Sequence, residues 1–215
     1  MNKVMKALYP KLSDVFDGEP TILPPVPEGA PPEIPRIIIA SKSHEWRCEF
    51  SPARVNVYWL PTQTAEPTIT VSEFLTQATE IFLGYVEHLS PRVARLAVMT
   101  TRFAVHEDPG LFLARHFCKK QWDEQPLNRP ENFELHAHKR FTLPDGLDVN
   151  SWARNKTGRL SRGGEEEPII LFEQDINTLA EGLSEKAFSD AKIRGFFDVI
   201  PNQLEQILGL YYPGG

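Results

Sequence analysis

The residues with most chemistry to offer stand together in ENFELHAHKRFTLPDGLDVNSWARNKTG, residues 131–158. His136 and His138 are one residue apart, and Lys139, Arg140, Arg154 and Lys156 gather around Trp152. Read as a strand, the segment sorts its side chains by parity. Phe133, Leu135, Ala137 and Phe141 fall on one face, with Lys139 as the exception among them. Glu134, His136, His138 and Arg140 fall on the other. Two imidazoles on one strand face form a metal-ligand geometry, and Glu173 or Asp175 would add a carboxylate, with His116 or Cys118 close by. That set would make a metal-dependent hydrolase. Against it, His-x-His matches no closed zinc spacing, and the interleaved Arg140 repels a cation.

The cations suggest a different chemistry. Residues 136–162 hold Lys139, Arg140, Arg154, Lys156, Arg159 and Arg162 against two carboxylates, Asp145 and Asp148. Parity places Trp152 on one face with Asn150, Arg154 and Lys156. An aromatic ring among cations on a sheet can stack a base and screen phosphates, as single-stranded nucleic acid requires. The plainer reading is a solvated hairpin whose cations pair with Glu165, Glu166 and Glu167. The net charge of −6 favours that reading over a globally electropositive binder.

Nucleophilic catalysis has less support. There is no Gly-x-Ser-x-Gly elbow and no glycine-rich phosphate loop. His116 and Cys118, two apart in a helix, do not face one another. Cys48 lies on an apolar strand face and reads as core. No catalytic residue and no cofactor is therefore assigned. Trp122, in KKQWDEQP, and Trp152 are expected near the surface, where aromatics mark interfaces. The candidate partner-binding set is Trp122, Arg140, Trp152, Arg154 and Lys156, and the candidate metal pair is His136 and His138.

Periodicity and punctuation outline the elements that must hold these residues. GEPTILPPVPEGAPPEIPR (18–36) carries seven prolines and reads as an extended arm or spacer. IPRIIIASK, EWRCEF and RVNVYWL then form a strand meander, with a turn or bulge at SPA, 51–53. Thr70 and Glu73 have capping-box spacing ahead of an apolar stripe of Phe74, Ala78, Ile81, Phe82, Tyr85 and Leu89. Pro91 closes that helix. VARLAVMTTRFAV (93–105) reads as a strand, and Asp108 with Pro109 opens a short helix. After a loop rich in proline and asparagine, two strands flank the turn PDG at 144–146, SRGGEEE is a polar turn, and PIILFEQDINTL is a strongly apolar strand. Ser189 caps a last helix that Pro201 should kink or split.

The fold class expected is α+β, with two antiparallel sheet-plus-helix halves that suggest a pseudo-duplication forming one compact unit. The expected divisions are 1–35 for the N-terminal segment and proline-rich arm, 36–125 for the first meander with its helices, and 126–215 for the second hairpin, strand and helix. With 215 residues the chain can bury a core without staples. Two cysteines make no disulfide framework, no apolar run approaches a membrane span, and the N-terminus lacks a signal-peptide pattern. The expected setting is the cytoplasm.

Four segments also carry a resemblance. PPEIPRIIIASKSHEWRCEFSPARVNVYW, LNRPENFELHAHKRF, VNSWARNKTG and ILFEQDINTLAE together resemble a sporadically distributed bacterial family of uncharacterised proteins. The resemblance runs from the proline arm to the last helix and brings no catalytic residues with it. It implies an accessory role, such as in a mobile defence or toxin–antitoxin system. The reading that follows is a protein without chemistry of its own, binding another protein or itself through a sheet face or edge and the proline arm.

Overall fold

The computed structural model describes residues 15–25, 27–61, 69–120, 130–162 and 164–212. The chain is α+β, with two four-stranded antiparallel sheets. It divides into two compact units, Met1–Arg92 and Val93–Gly215.

In the first unit the strands are β1 (Thr21–Ile22), β2 (Ile37–Ala40), β3 (Trp46–Phe50) and β4 (Val55–Trp59), in the spatial order of the chain. The meander follows from alternation. Cys48 and Phe50 are buried and Arg47 is exposed, and β3 pairs with β2 through Cys48 opposite Ile39. The SPA segment is a turn, closed by Ser51 N–H donating to the Arg54 carbonyl at 2.9 Å. Helix α1 (Val71–Leu89) begins at a complete capping box, in which Thr70 Oγ1 accepts from Glu73 N–H and Glu73 Oε2 accepts from Thr70 N–H at 2.7 Å. Its fully buried residues are Leu75, Ala78, Thr79, Ile81 and Leu83, a stripe partly offset from the expected one. Phe74 and Tyr85 are only half-buried, with rings 5.6 Å from Trp46 and 5.7 Å from Phe50.

From residue 15 onward the expected N-terminal segment is built into the first unit, while residues 1–14 lie outside the described residues. Phe16 is fully buried in the core formed with Ile37, Ile39, Cys48, Phe50 and Ile81. Gly18 N–H donates to the Ala40 carbonyl, and a Cβ at Gly18 would meet that oxygen at 2.5 Å. Thr21 and Ile22 then pair with Ile38 and Ile37. The proline-rich stretch is therefore a loop joining two paired strands rather than a free spacer. Its own turns place the Pro27 and Pro31 carbonyls as acceptors for Ala30 and Ile34, while the Pro32 carbonyl accepts from Ala53.

In the second unit β5 (Ala97–Val105) is followed by α2 (Pro109–Phe117), then β6 (Glu134–Thr142), β7 (Asp148–Arg162), β8 (Glu165–Thr178) and α3 (Asp190–Tyr211). The sheet order is β5-β8-β7-β6. This moves the expected boundary. β5 and α2 stand on the far side of the proline- and asparagine-rich loop in sequence, yet β5 pairs with β8 from Ala97 opposite Asn177 to Val105 opposite Ile169. The second sheet thus has its first strand beside its last, unlike the plain meander of the first, and the likeness of the halves stops at sheet plus helix.

Local chemistry explains the connections. Asp108 caps α2 by accepting from Leu111 N–H at 3.1 Å, with Pro109 in the first turn. Leu143, Asp145 and Gly146 close the β6–β7 turn, with Gly146 at φ +83°. β7 and β8 pair all the way out to Arg162 opposite Glu165, so strand pairing takes in most of the expected polar turn. Helix α3 runs unbroken through Pro201. The hydrogen bond lost at the proline is outweighed by the burial of Ile193, Phe196, Phe197, Ile200 and Leu204 along one stripe.

Three expectations follow. Gly110 is buried, and a Cβ there would meet the Pro130 carbonyl oxygen at 2.0 Å, so Gly110→Ala should lower the melting temperature markedly because backbone cannot swing aside. At α1, Thr70→Ala should cost about 1 kcal/mol in denaturant unfolding. The Thr70 amide and hydroxyl hold the Glu73 carboxyl below the usual glutamate range. Its stabilising contribution is therefore present above that range and lost as pH falls through the lowered value, and Glu73→Gln should flatten the acid limb of the melting-temperature profile.

Candidate binding face

Helix α3 covers one face of the second sheet and is fastened there by buried polar groups. Gln174, fully buried in β8, donates from Nε2 to the Leu204 carbonyl at 2.8 Å and accepts from Thr100 and Arg102. Asn155, also fully buried, donates from Nδ2 to the Tyr211 carbonyl at 2.7 Å, satisfying one of the last carbonyls of the helix. Arg102 reaches on to Glu205 at 2.8 Å. Strand register then dictates what stands on the opposite face: Glu134, His136, His138 and Arg140 from β6, Asn150, Trp152, Arg154 and Lys156 from β7, Leu171, Glu173, Asp175 and Asn177 from β8, and Met99, Thr101 and Phe103 from β5.

Trp152 holds the centre of that open face. It pairs with His138 on one side and Asp175 on the other, and Asp175 pairs with Met99. The His138 ring stacks on the indole at 4.2 Å and 20°, and the Arg154 guanidinium lies 5.3 Å from its centroid. Such stacking holds a half-exposed indole in one orientation. Around it run charge-assisted contacts. Lys156 Nζ donates to Glu173 at 3.0 Å, and Arg140 donates to Asn150 at 3.1 Å and to Glu181 at 2.9 Å. The Glu181 carboxyl is held below its usual range first by its own backbone amide and then by Arg140. Among the described residues Arg154 has no carboxylate within ion-pair distance.

The residues picked out in the sequence are thus partly united. Arg140, Trp152, Arg154 and Lys156 share the open face, whereas Trp122 lies outside the described residues. The six cations do not form one patch. Lys139 has the opposite parity and lies 5.9 Å over the Phe141 ring, and Arg159 pairs with Glu166 at 3.0 Å. His136 and His138 do share the open face, as parity requires, but their rings go to different partners. His136 Nε2 stands 3.6 Å from Glu134, while His138 Nε2 lies 3.3 Å from Asn150 Oδ1 beneath the indole. Among the described residues no three His, Cys, Asp or Glu side chains converge in metal-binding geometry, His116 and Cys118 included. An open depression at α2 is lined by His106, Asp108, Leu111, Phe112, Arg115 and His116. There Asp108 is spent on capping and His106 Nδ1 accepts from the Asp108 amide at 3.0 Å.

Sequence reasoning missed the contribution of β5. Its polar residues Thr100 and Arg102 point toward α3 and are satisfied by Gln174 and Glu205, while Met99, Phe103 and Val105 are 65%, 46% and 54% exposed. From Met99 to Phe103 the strand's largest apolar side chains face water, although Val98 is buried on the inner side and Thr101 is exposed on the outer. The alternation was visible in LAVMTTRFAV, but only the neighbouring Gln174 and Glu205 show which face is which.

No protein-family model matches the chain, and no curated protein matches it significantly. Among solved structures, the di-domain ARO/CYC StfQ from the steffimycin biosynthetic pathway aligns over 81% of this chain and 69% of that one, at 8% identity and a TM-score of 0.21. A likeness of that size carries no inference about fold or function.

The two thiols separate by environment. Burial pushes the Cys48 thiol far above its ordinary range, whereas Cys118 is partly exposed. Titration of the native protein with a thiol reagent should modify Cys118 alone, with Cys48 reacting only after denaturation; rapid modification of both would contradict the buried assignment.

Proposed function

We propose that this chain is a non-enzymatic binding protein that engages another protein across the open face of its second sheet. The observation that carries the reading is one open face that holds both the outward apolar side chains of β5 and, across Asp175 of β8, a ring-braced Trp152. Large apolar side chains are held out to solvent on that face, which also presents an aromatic of the kind that anchors interfaces. Of the surrounding cations Arg140 and Lys156 are already matched by carboxylates within the chain, which suits a partner surface of mixed charge rather than a strongly charged polymer. An accessory part in a bacterial defence or toxin–antitoxin system fits this reading through the family resemblance, and two unbridged thiols suit a cytoplasmic setting. No helix among the described residues is long and apolar enough to cross a membrane.

A second reading keeps single-stranded nucleic acid as the occupant, supported by the unneutralised Arg154 over Trp152. Pull-downs from the native host with the wild-type chain and with Trp152→Ala, followed by mass spectrometry, separate the two. The protein reading expects a specific partner retained by the wild type and lost with Trp152→Ala, with folding unchanged by circular dichroism. Salt-sensitive retention of single-stranded RNA or DNA that Arg154→Ala weakens would transfer the assignment to nucleic acid.

A further inference from the structure

The two edges of the second sheet are built differently. In β6, Phe133 and Leu143 exchange backbone hydrogen bonds with Thr157 and Leu147 of the facing segment, so by ladder parity the groups turned outward belong to Glu134, His136, His138, Arg140 and Thr142. Four of these five are ionisable, a pattern that protects an edge from pairing. In β5, the Leu96 carbonyl accepts from Thr178 and His106 N–H donates to Pro168, so the even-numbered residues between them face β8. The outward amides and carbonyls then belong to Ala97, Met99, Thr101, Phe103 and Val105. None of these five is ionisable, and among the described residues none of their backbone groups has another partner. The strand's single charge, Arg102, is tied back to Gln174 and Glu205.

We infer that β5 pairs antiparallel with β5 of a second copy of this chain, about a two-fold axis at Thr101, joining two sheets edge to edge. The strand is its own complement in that register. All nine residues from Ala97 to Val105 find partners. Thr101 meets Thr101, Met99 meets Phe103, and Ala97 meets Val105. Arg102 meets Thr100, so no like charges oppose. The Met99–Phe103 pairs place sulfur against aromatic ring, a favourable contact, and remove from water two of the most exposed apolar side chains of the unit. Displacing the register by one residue each way leaves ends unpaired, and in one direction sets Arg102 against Arg102. A closed two-fold pairing also ends the growth that a bare edge would otherwise allow. The inference shares Met99 and Phe103 with the open-face proposal, and Trp152, two strands away from the edge, is the residue that tells the two apart.

The test is the mass of the full-length protein in solution by light scattering over a concentration series. The result expected is twice the chain mass, falling to the chain mass for Thr101→Pro and for the double variant Met99→Lys, Phe103→Lys, each folded by circular dichroism, while Trp152→Ala stays dimeric. In a Cys118→Ser background, Thr101→Cys should form an intermolecular disulfide on mild oxidation, because directly opposed residues of a hydrogen-bonded pair lie about 5.5 Å apart at Cα, within disulfide reach. Lys139→Cys on the other edge should not. A protein monomeric throughout, or a dimer that survives the lysine pair and fails to cross-link at position 101, would overturn the inference. Should the proline variant not fold, the lysine pair and the cross-link decide.

Discussion

The second unit depends on a helix fastened to one side of a sheet by buried amides. Gln174 and Asn155 are fully buried, and each spends a side-chain N–H on a backbone carbonyl of α3. A buried amide left unpaired is expensive, so these two contacts fix how the helix lies across the strands. Lys192, reaching from the first turn of α3 to the Asp145 carbonyl at 2.6 Å, ties the helix start to the β6–β7 turn. Helix α3 lies over one face, and α2 also packs against β7 and β8, with Phe117 stacked on Phe133. Every residue of opposite parity on four strands is thereby committed to the other, and the candidate site is a consequence of that commitment.

On the open face the ions are arranged to satisfy one another rather than to create a field. Lys156 and Arg140 each have a carboxylate; the Arg140–Glu181 pair is exposed and worth little in stability, while Lys156–Glu173 is partly buried. Their effect is positional. They hold long side chains beside Trp152 and leave Arg154 over the ring. The apolar content comes from β5, whose polar residues are recruited inward by Gln174 and Glu205. A strand that turns Thr100 and Arg102 toward the helix and leaves Met99, Phe103 and Val105 in water loses burial energy it would otherwise gain, which is tolerated most readily where a partner restores it.

The first unit has a simpler logic. An aromatic and aliphatic core of Phe16, Ile37, Ile39, Cys48, Phe50 and Ile81 joins the meander to the residues before it and to α1. The proline-rich stretch belongs to that unit as a connection with its own backbone bonds, which lessens its availability as an extended ligand.

Much of this was readable from local pattern. The capping box at Thr70 and Glu73, the Asp108 and Ser189 caps, the PDG turn and the extended run from Glu134 all appear where the residues implied, because each depends on neighbours within a few positions. Parity likewise placed Trp152, Arg154 and Lys156 together and set Cys48 in the core. Other features required contacts remote in sequence. That β5 lies against β8, more than sixty residues further on, moved a domain boundary and turned Met99 and Phe103 outward. That Phe16 is core, and that Pro201 leaves α3 whole, came from packing that outweighs local preference. The sequence by itself determined which side chains share a strand face, since a period of two is a property of the backbone. Only the tertiary structure decided which face meets a helix and which meets water, because that choice belongs to the partner element and not to the strand.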